Sequence, residues 1–289
     1  MRIDLHTHST ASDGTDDPGQ VVAYAAAAGL DVVALTDHDT AQGWPQASSA
    51  AREHGVTFVP GAELSGHVMV RGEDDRDHRV PVHLLSYLHD GDDPALVAEL
   101  ERVRVDRRER ARTIIGRLAA DYPLTWDDVV ARTAPGTTVG RPHLADALVH
   151  TGIVANREEA FATLLHPSSP YYVGHYSPHV TDLLALVRAA GGVPVIAHPL
   201  ASVRGRVVDD AAIAAMTEAG LAGVEVDHRE HTSSQRAHLH GLAARLGLLT
   251  TGSSDYHGDG KPNRLGENTT SPEVLDAIVA AGRGTVVAP

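Results

Sequence analysis

The sequence predicts an α/β chain: a βα barrel interrupted by a helical insertion. Three observations predict it. Apolar strand-type runs alternate with helix-type runs up to about residue 90. From residue 95 to about 165 no strand-type run occurs, only helical ones. From residue 179 the alternation resumes and continues to the C-terminus. Repeated βα units with apolar strands point to parallel pairing in a sheet or barrel.

The elements follow in order. Residues 2–5 read as a short strand. Asp17-Pro18 opens a helix that runs to Ala28 and stops at Gly29, the expected N-cap, N1 proline and terminal glycine. Residues 31–36 form a buried-type strand, and 43–54 a helix that Gly55 ends. Residues 56–59 and 81–87 are further strands. The insertion carries helical runs at 96–122, 126–132, 141–150 and 157–165. Pro167, Pro170 and Pro178 mark the return. Beyond it lie a helix at 179–190, a strand at 193–197, a helix at 209–219, a strand at 223–226, a helix at 233–246, a strand at 248–251, a helix at 272–281 and a final strand at 285–288. The expected division is a barrel from 1–94 and 181–289, with an insertion or cap domain at 95–180.

Composition narrows the chemistry. The 289 residues hold no cysteine, which excludes disulfides, thiolate metal sites and a cysteine nucleophile. Lys+Arg number 24 against 38 Asp+Glu, a net charge of −14 that opposes broad binding to long nucleic acid. An apolar content of 42% with 21% charged residues excludes disorder. The N-terminus lacks an apolar leader, and no apolar run approaches membrane-span length, so a cytoplasmic location is the expectation. Nineteen histidines are far more than a chain of this length needs for packing.

Those histidines fall at strand ends. His6-Thr7-His8 follows the first strand, and i, i+2 spacing in an extended segment sends both imidazoles the same way. Asp13 follows in Ser12-Asp13-Gly14. His38 ends the second strand in Thr36-Asp37-His38-Asp39. Glu63 lies in Gly61-Ala62-Glu63, and His83 within an apolar strand. His198 ends Val195-Ile196-Ala197-His198-Pro199, and Asp255 and His257 follow the strand at 248–251. Groups at strand C-termini of a βα barrel meet at one face. Six His and three acids exceed what one ion can bind and suit two or three, and N and O donors without sulfur favour Mn2+, Fe2+ or Zn2+. His54, His67, His78, His89, His238 and His240 read mostly as solvated. Seven arginines between 102 and 117, interleaved with acids, read as an exposed, salt-bridged helix.

These motifs resemble the PHP (polymerase and histidinol phosphatase) phosphoesterases. The resemblance implies a distorted (β/α)7 barrel with a di- or trinuclear metal centre. One ion would be held by His6, His8, Glu63 and Asp255. Glu63 would bridge to a second, held by His83 and His198. A third would be held by Asp13, His38 and His257. The segment Gly140-Arg141-Pro142-His143-Leu144-Ala145 resembles the members that act on nucleotides: 3′,5′-nucleoside bisphosphate phosphatases, AMP phosphatases and 5′→3′ exoribonucleases on short RNAs. Arg141 and His143 match positions expected to reach a phosphate. Residues 225–231 depart from the family pattern around His228, a further substrate-contact candidate, as is Lys261, the only lysine of the chain.

The expected enzyme is therefore a hydrolase of phosphate esters. It would cleave a phosphate monoester of a 3′,5′-nucleoside bisphosphate or a monophosphate such as AMP, using a metal-bridging hydroxide beside Glu63, with Arg141 and His143 acting on the phosphate. Two or three divalent ions are expected, Mn2+ foremost. The partner is a small nucleotide or short oligonucleotide, with no membrane, long nucleic acid or obligate protein partner. Tyr171, Tyr172 and Tyr176 are candidates for stacking on a base. Alternatives are a short-RNA exonuclease, a histidinol phosphate phosphatase and a structural metal-binding module.

Overall fold

The computed structural model describes residues 1–72, 74–202 and 205–289. Among these, seven strands form one mixed sheet in sequence order: β1 (Ile3–Asp4), β2 (Val32–Leu35), β3 (Thr57–Arg71), β4 (Asp77–Tyr87), β5 (Val193–Ile196), β6 (Gly223–Asp227) and β7 (Leu249–Gly252). Its two edges come together. Thr7 bridges Tyr256 in parallel, and the His8 N–H donates to the Tyr256 carbonyl at 2.8 Å. The Ser254 N–H donates to Asp4 Oδ1 at 3.0 Å. The sheet is thus nearly closed into a barrel.

The short strands β2 and β5 are apolar throughout because both of their faces are covered. In β2, Val32 and Ala34 pack with Ile3, Leu5 and Val195 on the inner side. Val33 and Leu35 pack outward with Val21, Val22 and Ala47. Those last residues come from α1 (Pro18–Ala27) and α2 (Trp44–His54). Each fully buried Leu or Ile contributes about 1.5–3 kcal/mol. Asp17 caps α1 by accepting from the Gly19 and Gln20 N–H groups, both at 2.9 Å, and Gly55 ends α2 with φ 71°.

Two expectations about strands are corrected. The sheet is not all parallel. β3 pairs with β2 only from Thr57 to Pro60, then runs antiparallel to β4 from Gly61↔Tyr87 to Arg71↔Asp77. β4 is also antiparallel to β5. Among the described residues no helix lies between 60 and 81; β3 and β4 are joined over a short span from Arg71 to Asp77, which only antiparallel strands allow. The expected strand at 285–288 is a single antiparallel bridge, Phe58↔Val287.

Between β4 and β5 run α3 (Pro94–Leu118), α4 (Trp126–Val130), α5 (Arg141–His150), α6 (Arg157–Ala162) and α7 (Val180–Ala189). The second half of α3 packs with α4, α5 and α6 around Ile114, Leu118, Val129, Leu144, Leu148 and Ala160. Its first turns place Leu96 and Leu100 in the cluster that also takes Val68, Val82 and Leu184. A buried ion pair fixes α3 to the barrel: Arg107 Nε lies 3.0 Å from Asp39 Oδ2, and Arg107 Nη2 bonds Ser65 Oγ. α8 (Asp210–Glu218), α9 (Ser233–Leu246) and α10 (Pro272–Ala281) complete the outer layer. Among the described residues no helix is long and apolar enough to cross a membrane.

His89 departs from the solvated reading. It is buried beside Trp44, with Nδ1 2.8 Å from Ser86 Oγ. Burial pushes its pKa down from 6.5 to about 4. Between those values the unfolded chain binds the extra proton and the folded one does not, so His89 stabilises the fold less as pH falls through that window. The difference reaches about 3 kcal/mol. His89→Gln is expected to lose about 2–3 kcal/mol less stability than the wild type between pH 7 and 4.5 in urea melts. Equal pH dependence in both proteins would clear His89 of this role.

Candidate metal centre

The nine predicted side chains gather at one end of the barrel. Glu63 is the hub, 1% exposed. Its Oε2 lies 3.2 Å from His6 Nε2, 3.0 Å from His8 Nε2 and 3.3 Å from His38 Nδ1. Its Oε1 lies 2.7 Å from His83 Nδ1 and 3.0 Å from His198 Nε2. Asp255 Oδ1 faces His6 Nε2 at 3.5 Å and His8 Nε2 at 3.4 Å. Asp13 faces His257 Nε2 at 3.2 Å through Oδ1 and His38 Nε2 at 3.7 Å through Oδ2. Among the described residues, three sets of donor atoms are close enough for a shared ion: His6, His8, Glu63 and Asp255; His8, Asp13, His38 and His257; and His38, Glu63 and His83. The first is the set expected for one ion. The other two draw His8 and His38 in as shared members.

The donors fit divalent cations on chemical grounds. His6 Nε2 and His8 Nε2 face each other at 3.1 Å with two carboxylates beside them. His38 Nδ1 and His257 Nε2 are buried and have no aligned hydrogen-bond partner. Burial opposes charge at Glu63, yet His83, His6 and His38 hold its carboxyl well below the usual range. Burial likewise opposes charge on His8, while Asp255 and Glu63 raise its pKa to about 9. The carboxylates therefore draw positive charge into the cluster, and ions must compete with protons there.

Carboxylates behind the cluster hold it in place. Glu225, fully buried on β6, lies 3.0 Å from His6 Nδ1, accepts from the His198 N–H at 2.8 Å and bonds Ser253 Oγ. Against the cost of burial, His6 keeps this carboxyl below its ordinary range. Asp37 accepts from Ser9 N–H at 2.8 Å and from the Ser9 and Ser12 hydroxyls, both at 2.6 Å. That pins the turn carrying Asp13. A Cβ at Gly14 would come within 2.5 Å of the His8 carbonyl oxygen, so only glycine lets this turn close. Asp39, His198 and Asp255 have φ of 54°, 30° and 54°, left-handed conformations that cost about 1–3 kcal/mol each. Glu225 and Asp37 escaped the sequence reading. Their one signal was a carboxylate inside or just after an apolar strand. Glu225→Ala is expected to weaken divalent-ion binding by about 10–100-fold, read by calorimetric titration; unaltered affinity would show that Glu225 does not set His6.

The other candidates are spread more widely. Lys261 Nζ lies 2.9 Å from Asp255 Oδ2, and His228, wholly buried, lies 3.4 Å from the same oxygen. His143 lies at the start of α5, where Nδ1 accepts from the Gly140 N–H at 3.0 Å. It also lines a cleft of about 530 Å³ with Asp13, Thr15, Arg132, Asp146 and Arg157. Arg141 is not among that cleft's lining; it donates to the Leu165 carbonyl at 3.3 Å and lies against Phe161 and Tyr172. The Arg-rich segment is only partly an exposed, salt-bridged face. Arg102, Arg104 and Arg112 do pair with Glu99, Glu101 and Glu109, but Arg107 and Arg110 are buried. They turn inward because α3 lies between the barrel and the return segment.

The sequence profile of the PHP domain matches residues 4–185. The chain belongs to the PHP family. A 3′,5′-nucleoside bisphosphate phosphatase from Chromobacterium violaceum is 34% identical over 278 residues, 96% of this PHP chain and 94% of that protein. A 5′-3′ exoribonuclease from Haemophilus influenzae is 32% identical, over 96% and 97% of the two chains. The solved structure of a candidate metal-dependent phosphoesterase from Bifidobacterium adolescentis superposes with a TM-score of 0.90 at 40% identity, covering 97% and 96%. Hydrolysis of phosphate esters is thus the activity class of this PHP chain, and its His, Asp and Glu clusters can bind metal ions.

Proposed function

We propose that the protein is a cytoplasmic phosphatase that hydrolyses a phosphate monoester of a small nucleotide, a 3′,5′-nucleoside bisphosphate or a monophosphate such as AMP. The observation that carries this reading is Glu63, with one oxygen toward His6, His8 and His38 and the other toward His83 and His198. A carboxylate so placed would be shared between two ions. His6, His8, Glu63 and Asp255 would hold the first, Glu63, His83 and His198 the second, and Asp13, His38 and His257 a third, with Mn2+ the foremost candidate. Bound divalent ions supply a water acidic enough to act as nucleophile and neutralise phosphoryl oxygens.

The chain's own groups orient the reaction. Glu225 and Asp37 fix the imidazoles and the Asp13 turn, so little reorganisation is needed when substrate arrives. Lys261 stands at the outer oxygen of Asp255 and can exchange that carboxylate for a substrate phosphate oxygen. Arg141 offers a planar fork suited to phosphate. His143 uses Nδ1 on the Gly140 N–H and contacts the Ser12 main chain, and burial lowers its pKa. Those bonds suit a residue that positions the Asp13 turn against α5 rather than a proton donor. Residues 95–180 act as a cap over this end of the barrel.

The decisive experiment is a phosphate-release panel with metal-loaded enzyme on AMP, an adenosine 3′,5′-bisphosphate, 5′-phosphorylated short RNA and histidinol phosphate. Release from the first two at rates well above the others is the expected result. Preference for RNA would move the assignment to an exonuclease, and silence on all nucleotides would sink it.

A further inference from the structure

We infer that His228 is a positioning residue that holds the outer oxygen of Asp255 from behind the cluster, so that Asp255 turns a single oxygen, Oδ1, toward the ions. The inference rests on the ion binding proposed above. Topology brings the two residues together: His228 directly follows β6, and Asp255 lies just beyond β7, its parallel neighbour in the sheet. The His228 ring is wholly buried, closed to substrate as well as to water. Its Nδ1 accepts from the Glu230 N–H at 3.1 Å. A ring that accepts at Nδ1 carries its proton on Nε2, and Nε2 lies 3.4 Å from Asp255 Oδ2. The direction of that contact is therefore fixed: the imidazole donates and the carboxylate accepts. Lys261 Nζ meets the same Oδ2 at 2.9 Å. Oδ1 faces the other way, toward His6 Nε2 at 3.5 Å and His8 Nε2 at 3.4 Å. Lys261 is part-exposed and can swing toward a substrate; His228 cannot leave, and keeps Oδ2 held when Lys261 does. Asp255 has φ 54°, a conformation that its surroundings must maintain.

The turn that carries His228 is itself braced. Arg236, on α9, donates from Nη2 to the His228 carbonyl at 2.8 Å and from Nε to the His231 carbonyl at 3.3 Å. His231 holds the opposite tautomer. Its Nδ1 donates to the Val226 carbonyl at 2.8 Å, and its Nε2 accepts from the Leu200 N–H at 3.2 Å. That second bond ties the turn to the segment bearing His198. The His228 ring sits between these two imidazoles, its centre 5.2 Å from that of His198 and 5.7 Å from that of His231. A ligand carboxylate held by a buried donor is oriented before the ion arrives, so less ordering is left to oppose binding.

The test separates the two ring nitrogens. In His228→Asn the shorter amide can stand in for Nδ1 and keep the Glu230 bond, but it cannot reach Asp255. In His228→Gln the longer amide can stand in for Nε2 and reach Asp255, but it gives up the Glu230 bond. In calorimetric titrations with Mn2+, His228→Gln should bind within about threefold of the wild type and His228→Asn about tenfold or more weakly. A role confined to bracing the turn predicts the reverse order; that order, or equal affinity in all three proteins, would overturn the assignment. In 15N NMR the wild-type His228 should carry its proton on Nε2 both without ions and with Zn2+. A proton on Nδ1 would overturn the assignment, and this measurement decides if His228→Asn lacks a cooperative thermal transition. A wild type that binds ions but releases no phosphate would defeat the proposed function alone and leave the contrast readable. A wild type that binds no divalent ion would overturn both.

Discussion

Glu63→Gln is expected to lower phosphate release by on the order of a thousandfold while the protein stays folded. The side chain keeps its volume, so the packing of β3 against β2 and β4 is preserved. The charge is what disappears. Five imidazole nitrogens lie within 3.3 Å of the two carboxylate oxygens. A neutral amide presents one oxygen and one NH2, so at least one side of the cluster would meet a donor where it needs an acceptor. The loss should fall mainly on kcat, and metal titration should show reduced stoichiometry. A variant with wild-type kcat and full stoichiometry would show that Glu63 is not a shared ligand.

Removal of divalent ions is expected to have the second large effect. Chelation should abolish phosphate release, and restoring the ion should recover it. It should also lower the melting temperature, because ions bind the folded cluster and not the dispersed chain. At a free-ion concentration one hundred times Kd the gain is about 2.7 kcal/mol, several degrees in Tm for a chain of this size. The sign with pH follows from the same groups. Asp13 and Glu63 are already ionised near neutrality, whereas His8 holds a proton up to about pH 9 in the absence of ions. Ion binding must displace that proton, so affinity should rise as pH climbs from 6 to 9. Calorimetry in buffers of different ionisation enthalpy measures the proton release. A melting temperature indifferent to chelator would contradict the cluster's role as a metal centre.

Much of this site was legible because the chemistry sits where the chain's periodicity breaks. His6, His8, His38, His198, Asp255 and His257 each follow an apolar run, and a βα barrel sends such positions to one face. Residues that act from inside strands were harder to read. Glu225 lies between Val224 and Val226, where a charge looks like an interruption of the strand rather than a bracket for His6. Arg107 and Arg110 share the spacing of exposed arginines on the same helix, and only the tertiary position of α3 separates them. The hairpin of β3 and β4 is hidden in the sequence because Gly61 and Gly66 suggest a loop. The pairing that makes these residues a strand comes from β4, more than ten residues further on. The expected strand at 285–288 failed for the reverse reason: its sequence is strand-like, but it meets the sheet at Phe58 alone.

The bridge between Thr7 and Tyr256 sets a timetable for the molecule. His6 and His8 are made about 250 residues before Asp255 and His257, yet all four face the same small volume. Closing a loop of about 250 residues costs only modestly more entropy than closing a short one, but it cannot begin until the distal partner exists. Until residues 255–257 exist, the donor set around His6 and His8 lacks two of its members. The full donor set therefore exists only once the two edges of the sheet have met at Thr7 and Tyr256.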